Sequence, residues 1–184
     1  MVQLKAIVLL SGPIAVGKTS VRQELIANHS FAYVRSSAYL KALADAQGHD
    51  SQRANLQDLG DQLDIETDYL WLLNEVALPA FEASSGQKRW LVDSVRKERQ
   101  IEQFRKAYGR RVLHVHLNAS EIVLRRRYEL RLVTTSDITP YRIAIQHGNE
   151  IASRSLVRIA DLIFDTSTLT PQEIAAAIAH AMPE

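Results

Sequence analysis

Cysteine is absent from this 184-residue chain, which excludes disulfide bonds, thiolate metal ligands and cysteine nucleophiles. Long apolar runs are absent as well, because no stretch reaches the roughly 18 residues that a helix needs to span a bilayer. The first residues also lack the basic start, the long apolar stretch and the cleavage site of a signal peptide. We therefore expect a soluble cytoplasmic protein without a membrane partner.

Net charge is nearly absent too, at +1, but the charges are unevenly distributed along the chain. Residues 42–82 contain nine acidic residues and one basic residue, whereas residues 88–131 contain thirteen basic and five acidic residues. A basic surface that handles anionic groups would explain this pattern, and so would ordinary solvated helix faces. The sequence alone leaves both interpretations open.

The apolar residues predict a single α/β domain. Five short, apolar, β-prone segments alternate with stretches of helical periodicity. The predicted strands are residues 4–10, 31–35, 89–93, 111–117 and 161–165. Because these strands are apolar almost throughout, they indicate a three-layer fold, with a parallel five-stranded sheet covered by helices on both faces. A length of 184 residues with 46% apolar content suits one such domain.

Two local signals refine this picture. About fifty residues separate the second and third predicted strands, which is more than one crossover needs, and their periodicity predicts a helical insert at about residues 37–85. Near the end of the chain, Thr170, Pro171 and Glu173 have the spacing of a helix cap followed by a capping box. We expect the last helix to begin there.

The stretch GPIAVGKT, residues 12–19, fits the phosphate-binding pattern G-x4-G-K-[ST] and lies between a predicted strand and a predicted helix. In such a loop, main-chain N–H groups surround phosphate oxygens, and the N-terminus of the following helix adds positive potential. Lys18 would reach the β and γ phosphates, and the Thr19 hydroxyl would bind Mg²⁺. The expected nucleotide-binding residues are Gly12, Ala15, Val16, Gly17, Lys18, Thr19 and Ser20.

A phosphate loop predicts nucleotide binding and leaves the reaction open. A kinase for a small molecule and a nucleotide-hydrolysing switch or motor are both compatible with it. The Asn-Lys-x-Asp motif of guanine-specific switches and the Leu-Ser-Gly-Gly-Gln signature of transporter ATPases are absent from the chain. The short chain, the helical insert and the arginine-rich segment at residues 125–131 favour the kinase.

Three further segments, in the order 90–109, 117–131 and 158–174, resemble the nucleoside and deoxynucleoside monophosphate kinases and the related dephospho-coenzyme A kinases. The resemblance covers nearly the whole chain, although only the phosphate loop is highly specific by itself. It implies a P-loop kinase fold with strand order 2-3-1-4-5, a substrate-binding helical insert and a mobile lid at about residues 132–148. It also implies ATP and Mg²⁺ as cofactors, with ATP and a small phosphorylated acceptor as partners.

The resemblance places catalytic and metal-binding roles on particular residues. Asp93 ends the third predicted strand, where a carboxylate could hold the water shell of Mg²⁺ or accept a proton from the attacking group. A helix N-cap is the alternative interpretation of Asp93. Arg96 would contact substrate or phosphate, although Ser94 replaces the usual glycine of the family pattern.

Arginines would stabilise the charge of the transferring phosphoryl group. Arg127 and Arg131 are four residues apart and share one helical face, so both could act together. Because Arg125 and Arg126 precede them directly, the choice among these arginines stays open. Arg142, in the expected lid, is a further candidate for substrate binding.

The acceptor is expected to be nucleotide-like, gripped by Arg35 together with Ser36 or Ser37 after the second strand. For the two serines, a strand end and a helix cap are equally good explanations. Tyr69, Trp71 and Phe81 could stack on a base or pack in the core. Dephospho-coenzyme A or a hydroxymethylated base in DNA are alternative acceptors, but the acidic insert disfavours nucleic acid.

Two histidines, His114 and His116, face the same side of the fourth predicted strand and superficially suggest a metal site. We reject that interpretation, because no third ligand has a matching spacing and a strand covered on both faces can bury satisfied histidines. The sequence does not predict the oligomeric state.

Overall fold

The computed structural model of the protein describes residues 5–48, 50, 52–132 and 139–182. Its centre is a five-stranded sheet in the order β2-β3-β1-β4-β5, and every strand pair is parallel. The strands are β1 (Ala6–Ser11), β2 (Phe31–Tyr33), β3 (Arg89–Val92), β4 (Val112–Asn118) and β5 (Leu162–Asp165). The predicted α/β fold class and the strand order implied by the resemblance are both confirmed.

Strand β1 is the centre of the molecule because all six of its residues, AIVLLS, are buried. Leu9 is aligned with Val92 of β3 on one side and with His114 of β4 on the other. A strand without an exposed face needs helices on both sides of the sheet. The apolar residues of β1 therefore fix its place between two other strands.

Nine α-helices lie within the described residues and connect or follow the strands. They are α1 (Lys18–Asn28), α2 (Ser36–Ala46), α3 (Arg53–Glu66), α4 (Leu78–Ala83), α5 (Glu98–Tyr108), α6 (Glu121–Leu132), α7 (Tyr141–Ala144), α8 (Gly148–Ser155) and α9 (Pro171–Ala181). A π-helical segment, Leu72–Ala77, precedes α4. None of these described helices has the length and apolar character needed to cross a membrane.

The last helix begins as the sequence predicts. The Thr170 hydroxyl accepts a hydrogen bond from the Glu173 main-chain N–H at 3.2 Å, and the Glu173 carboxylate accepts one from the Thr170 N–H at 2.8 Å. Pro171 occupies the first helical position, where its missing N–H has no partner to lose. This capping box fixes the start of α9, which packs against α1.

Two hydrophobic cores lie on opposite faces of the sheet. One contains Leu25 of α1, Tyr128 of α6 and Ile178 of α9. The other contains Phe104 of α5 together with residues of the segment between β2 and β3. Trp71 and Phe81 belong to this second core, at 5% and 2% exposure, so packing explains them better than base stacking does.

The segment between β2 and β3 is helical, with α2, α3, the π-helical segment and α4. Of the expected lid at about residues 132–148, residues 133–138 lie outside the described residues. The helices α7 and α8 follow, and α8 carries side chains to the end of β1.

Gly12→Ala is expected to lower the free energy of unfolding by about 2 kcal/mol or more. Gly12 has a φ of +140°, and an added Cβ would lie 2.5 Å from the Leu117 carbonyl oxygen of β4. Gly86→Ala is the matched control, because its Cβ would meet no atom within 4 Å. Urea unfolding of both variants measures the difference, and equal stabilities would contradict this account of the close approach.

Candidate active site

The phosphate loop, residues 12–19, connects the end of β1 to the first turn of α1. Gly12 and Gly17 adopt φ values of 140° and 100°, and Ala15 adopts 62°, so the backbone turns repeatedly through left-handed conformations. Glycine tolerates these angles at little cost, which is the physical reason for its two positions in the motif. Helix α1 begins at Lys18 and directs its N-terminus towards the loop.

Lys18 turns back over the loop that precedes it. Its ammonium donates hydrogen bonds to the main-chain carbonyls of Gly12 and Pro13, the latter at 2.9 Å. Burial lowers the pKa of Lys18 to about 8, while the Glu150 carboxylate acts in the opposite direction. Thr19 and Ser20 are exposed at the start of α1.

A cavity of about 1240 Å³ opens in front of the loop and brings together residues that are far apart in the chain. Besides the loop itself, its lining includes Asp93, Arg96, Arg127 and Arg131. Three of the other expected contacts, Arg35, Ser37 and Arg142, are exposed and lie outside this lining. Arg142 lines a separate smaller cavity beside α6.

Asp93 is held at the edge of the cavity by two side chains. Arg22 of α1 donates to Oδ2 at 2.7 Å, and the Tyr33 hydroxyl of β2 donates to Oδ1 at 2.8 Å. Burial, followed by the charge of Asp93, raises the pKa of Tyr33 to about 12, so Tyr33 keeps its proton at neutral pH. The N-cap of α5 is Lys97, so the alternative interpretation of Asp93 as that cap is wrong.

The arginines of the 125–131 segment lie on different sides of helix α6 and have different partners. The Arg127 guanidinium donates to the Thr166 hydroxyl at 2.8 Å and the Thr166 carbonyl at 2.7 Å, and it also donates to the Val16 carbonyl of the loop at 3.4 Å. Arg131 lies over the Tyr128 ring, 5.1 Å from its centroid, and lines the cavity. Arg125 instead pairs with Glu129 at 2.8 Å on the exposed side of the helix.

Two buried histidines and a serine form a hydrogen-bonded chain beneath the loop. Ser11 Oγ lies 2.7 Å from His114 Nε2 and 2.9 Å from His116 Nδ1, and His114 Nδ1 lies 3.2 Å from the Ile159 carbonyl. Because a carbonyl only accepts, His114 carries its proton on Nδ1, Ser11 donates to His114, and His116 Nδ1 donates to Ser11. Burial lowers the pKa of both imidazoles, and that of His116 falls to about 4.

A family model described as an AAA domain, AAA_18, matches residues 8–152, which is most of the chain. The chain belongs to the AAA_18 family. No curated protein matches the sequence.

Solved structures share the fold of this AAA_18 member. A proposed kinase of Chloroflexus aurantiacus J-10-fl is similar with a TM-score of 0.58 and 18% identity, over 98% of this chain and 100% of that one. A sugar kinase of Janibacter sp. HTCC2649 is similar with a TM-score of 0.57 and 14% identity, over 96% and 93% of the two chains. At these identities the likeness shows the fold, which is that of the P-loop kinases.

Sequence reasoning missed the contribution of α8 to this AAA_18 site. Glu150 accepts a hydrogen bond from the Ile14 N–H of the loop at 2.9 Å, and the Ser153 hydroxyl donates to the Gly12 carbonyl at 3.1 Å. Asn149 donates to Asp61 of α3 at 3.0 Å. The spacing of Glu150 and Ser153 marks a polar helix face, but it does not indicate what that face contacts.

The free energy of unfolding is expected to fall as the pH is lowered from about 6.5 to about 4, because His116 stays neutral when folded and binds a proton when unfolded. The loss from this one group amounts to about 3 kcal/mol at most. Urea unfolding between about pH 6.5 and about pH 5, above most carboxyl titrations, measures the effect together with that of His114, whose pKa burial also lowers. His116→Gln should reduce the slope of the free energy of unfolding against pH, and His180→Gln, at an exposed position, should leave the slope unchanged. Equal slopes in both variants would contradict the assignment.

Proposed function

We propose that the protein is a magnesium-dependent kinase, which transfers the γ-phosphoryl group of ATP to an oxygen of a small-molecule acceptor. The observation that carries the proposal is the single cavity in which the phosphate loop faces Asp93, Arg96 and Arg131. A nucleotide site, a carboxylate and cations around one space are the parts that phosphoryl transfer needs. A cytoplasmic location, where ATP is available, belongs to the same proposal.

The donor half of the site would work through the loop and the first turn of α1. Main-chain N–H groups of the loop and the Lys18 ammonium would bind the phosphates of ATP. Within the described residues, the hydrogen-bond partners of the Lys18 ammonium are the loop carbonyls of Gly12 and Pro13, which it could exchange for phosphate oxygens. Membership of the AAA_18 family supports nucleotide binding at this loop.

Magnesium would be held by few protein ligands. The Thr19 hydroxyl is exposed at the start of α1, and Asp93 lines the same cavity. No cluster of three or more histidine, aspartate or glutamate side chains suited to a metal occurs within the described residues. One hydroxyl and one carboxylate suit Mg²⁺, which keeps several waters and binds mainly to nucleotide phosphates. When bound, the ion would neutralise charge on those phosphates.

In the transfer step, an oxygen of the acceptor forms a bond to the γ-phosphorus, and the bond from that phosphorus to the β–γ bridging oxygen breaks, which leaves ADP. When the acceptor oxygen is a hydroxyl, its proton passes to the Asp93 carboxylate, directly or through a water. Each Asp93 oxygen already accepts one hydrogen bond, from Arg22 or from Tyr33, and retains a lone pair for this proton. A monophosphate would instead attack with an anionic phosphate oxygen and would release no proton. Arg127 and Arg131 would stabilise charge on the transferring oxygens.

A nucleoside or deoxynucleoside monophosphate is the first candidate acceptor. Arg96 lines the cavity three residues after Asp93, where it could bind the acceptor's phosphate. Arg35 and Ser37 are exposed and lie outside the lining of the cavity, so neither contacts the space in which Arg96 would bind the acceptor. This candidate therefore depends on movement of α2 towards the cavity.

A non-aromatic, polyhydroxylated acceptor is the second candidate. Gln52, Gln57 and Asn149 line the cavity, and their amides can both donate to and accept from hydroxyls. Among the described lining residues the aromatic rings are those of Tyr128, which is fully buried against the core, and of His147, which is half-buried. A nucleobase would thus find only the His147 imidazole as an aromatic stacking partner there, and the similar fold of a sugar kinase agrees with this candidate.

Lys18→Ala is expected to reduce the phosphoryl-transfer rate by on the order of 10³-fold, because the ammonium that binds the transferring phosphates is lost. The fold should persist, since Lys18 contributes no side chain to either core. Lys41→Ala, at an exposed position of α2, is the control and should retain the wild-type rate. Transfer from radiolabelled ATP and circular dichroism measure both effects, and undiminished turnover by Lys18→Ala would reject the proposed site.

A transfer screen with γ-labelled ATP is expected to yield one labelled small product. The acceptor classes to compare are nucleoside monophosphates, dephospho-coenzyme A, polyols with sugar acids, and DNA containing hydroxymethylated bases, with ATP hydrolysis alone as the baseline. Label on a monophosphate would support the first candidate, and label on a polyol the second. ATP cleavage stimulated only by a protein or polymer, without a labelled product, would favour a switch or motor and contradict the kinase.

A further inference from the structure

A carboxylate of the protein itself binds the phosphate loop. Glu150, in the first turn of α8, accepts hydrogen bonds from the Ile14 main-chain N–H at 2.9 Å to one carboxylate oxygen and 3.1 Å to the other. The side chain of Glu150 is only 12% exposed, and Arg154 donates to it at 2.9 Å. The Glu150 charge also raises the pKa of Lys18, so the carboxylate acts on both the loop amide and the loop lysine.

These surroundings are those of an anion in a phosphate site. A main-chain N–H from the loop, a guanidinium and a nearby ammonium are the groups that recognise phosphate oxygens. The Ile14 N–H has one hydrogen, and it cannot donate well to a carboxylate and a phosphate oxygen together. A phosphate that approaches this part of the loop must therefore displace Glu150 or bind beside a carboxylate of like charge.

Other contacts of α8 keep the carboxylate in this position. One turn after Glu150, the Ser153 hydroxyl donates to the Gly12 carbonyl at 3.1 Å, and Ser153 is buried. One residue before it, Asn149 bonds to Asp61 of α3 at 3.0 Å. Arg154 also donates to Glu121 of α6 at 2.9 Å. The helix is thus held against the loop, the insert and α6, and Glu150 is presented to Ile14 from a fixed element.

We propose that Glu150 is an internal competitor of the nucleotide, a carboxylate that binds the Ile14 amide and must leave it before the phosphates of Mg·ATP can bind fully. The inference rests on the proposed function, because it requires the loop to bind a nucleotide. Glu150 thereby lowers the affinity of the loop for Mg·ATP, compared with a loop whose Ile14 amide is available. The same contact links nucleotide binding to the position of α8, and through Asn149 to the helical insert.

The expected effect follows from the fraction of molecules in which the loop amide is available. If the carboxylate holds the amide in about nine of ten molecules, the apparent Kd is about tenfold higher than that of the open loop. A net contribution of that size is ordinary for a charge-assisted hydrogen bond. Glu150→Ala removes the competitor entirely, whereas Glu150→Gln removes its charge and keeps a weaker acceptor.

The test measures the Kd of Mg·ATP by calorimetry at pH 7, for the full chain and for three variants. Glu150→Ala is expected to bind about tenfold more tightly than the wild type, with Glu150→Gln between the two. Glu121→Gln is the matched control, because Glu121 also pairs with Arg154, and its hydrogen bonds within the described part of the chain go to Arg154 and Tyr141 instead of the loop. Its Kd should stay within about twofold of the wild-type value. Thermal unfolding of each variant shows whether α8 remains folded.

The outcomes separate this inference from the proposed function. Wild-type binding with an unchanged or weaker Kd in both Glu150 variants would overturn the competitor role and leave the kinase proposal intact. Absence of Mg·ATP binding in the wild type and all variants would reject the proposed function. Should Glu150→Ala fail to fold, Glu150→Gln decides alone, because it keeps the shape of the side chain while it removes the charge and one of the two acceptor oxygens. Tightening in Glu121→Gln as large as in Glu150→Gln would assign the effect to Arg154 and overturn the role of Glu150.

Discussion

The close approach of Gly12 to the Leu117 carbonyl is the contact on which the site depends. An added Cβ at Gly12 would lie 2.5 Å from that oxygen, so only glycine lets the loop leave β1 directly against β4. Strand β1 lies between β3 and β4, and its carboxyl end is next to theirs. Asp93, one residue after β3, and α6, shortly after β4, therefore meet the loop at one edge of the sheet. The positions of Asp93 and of the α6 arginines relative to the loop follow from parallel pairing around one strand.

Much of this architecture can be predicted from the sequence, because it follows from local patterns. Apolar strands and helical periodicity give the element order, and the G-x4-G-K-[ST] motif gives the loop and the start of α1. The strand order 2-3-1-4-5 came from a family resemblance, since local pattern does not specify which strands are neighbours. The remaining contacts of the site could be predicted neither from local sequence patterns nor from the family resemblance. Glu150 and Ile14 are 136 residues apart, and no spacing rule connects them.

The arginines of α6 show how one more fact would have sharpened the prediction. At about 100° per residue, Arg127 and Arg131 lie on the same side of Tyr128, whereas Arg125 lies on the other side. Tyr128 is fully buried, so its position fixes which arginines face the cavity. The sequence does not reveal which of several apolar residues faces the core, and the choice among the arginines stayed open for that reason. Arg35 and Arg142 illustrate the same limit, because their exposure depends on distant packing.

The charges around the cavity explain why a polyanion suits it and why Glu150 matters. Within the described lining, four cationic side chains face two carboxylates, so the cavity carries a formal charge of +2. Burial lowers the pKa of Lys18, and the charges of Arg96 and Arg131 lower it further. The cations of the cavity therefore repel one another. The negative charge of Glu150 offsets part of this repulsion. A magnesium nucleotide carries more negative charge than one carboxylate and would offset more of the repulsion between the cations. The exchange of Glu150 for phosphate would therefore be favoured electrostatically.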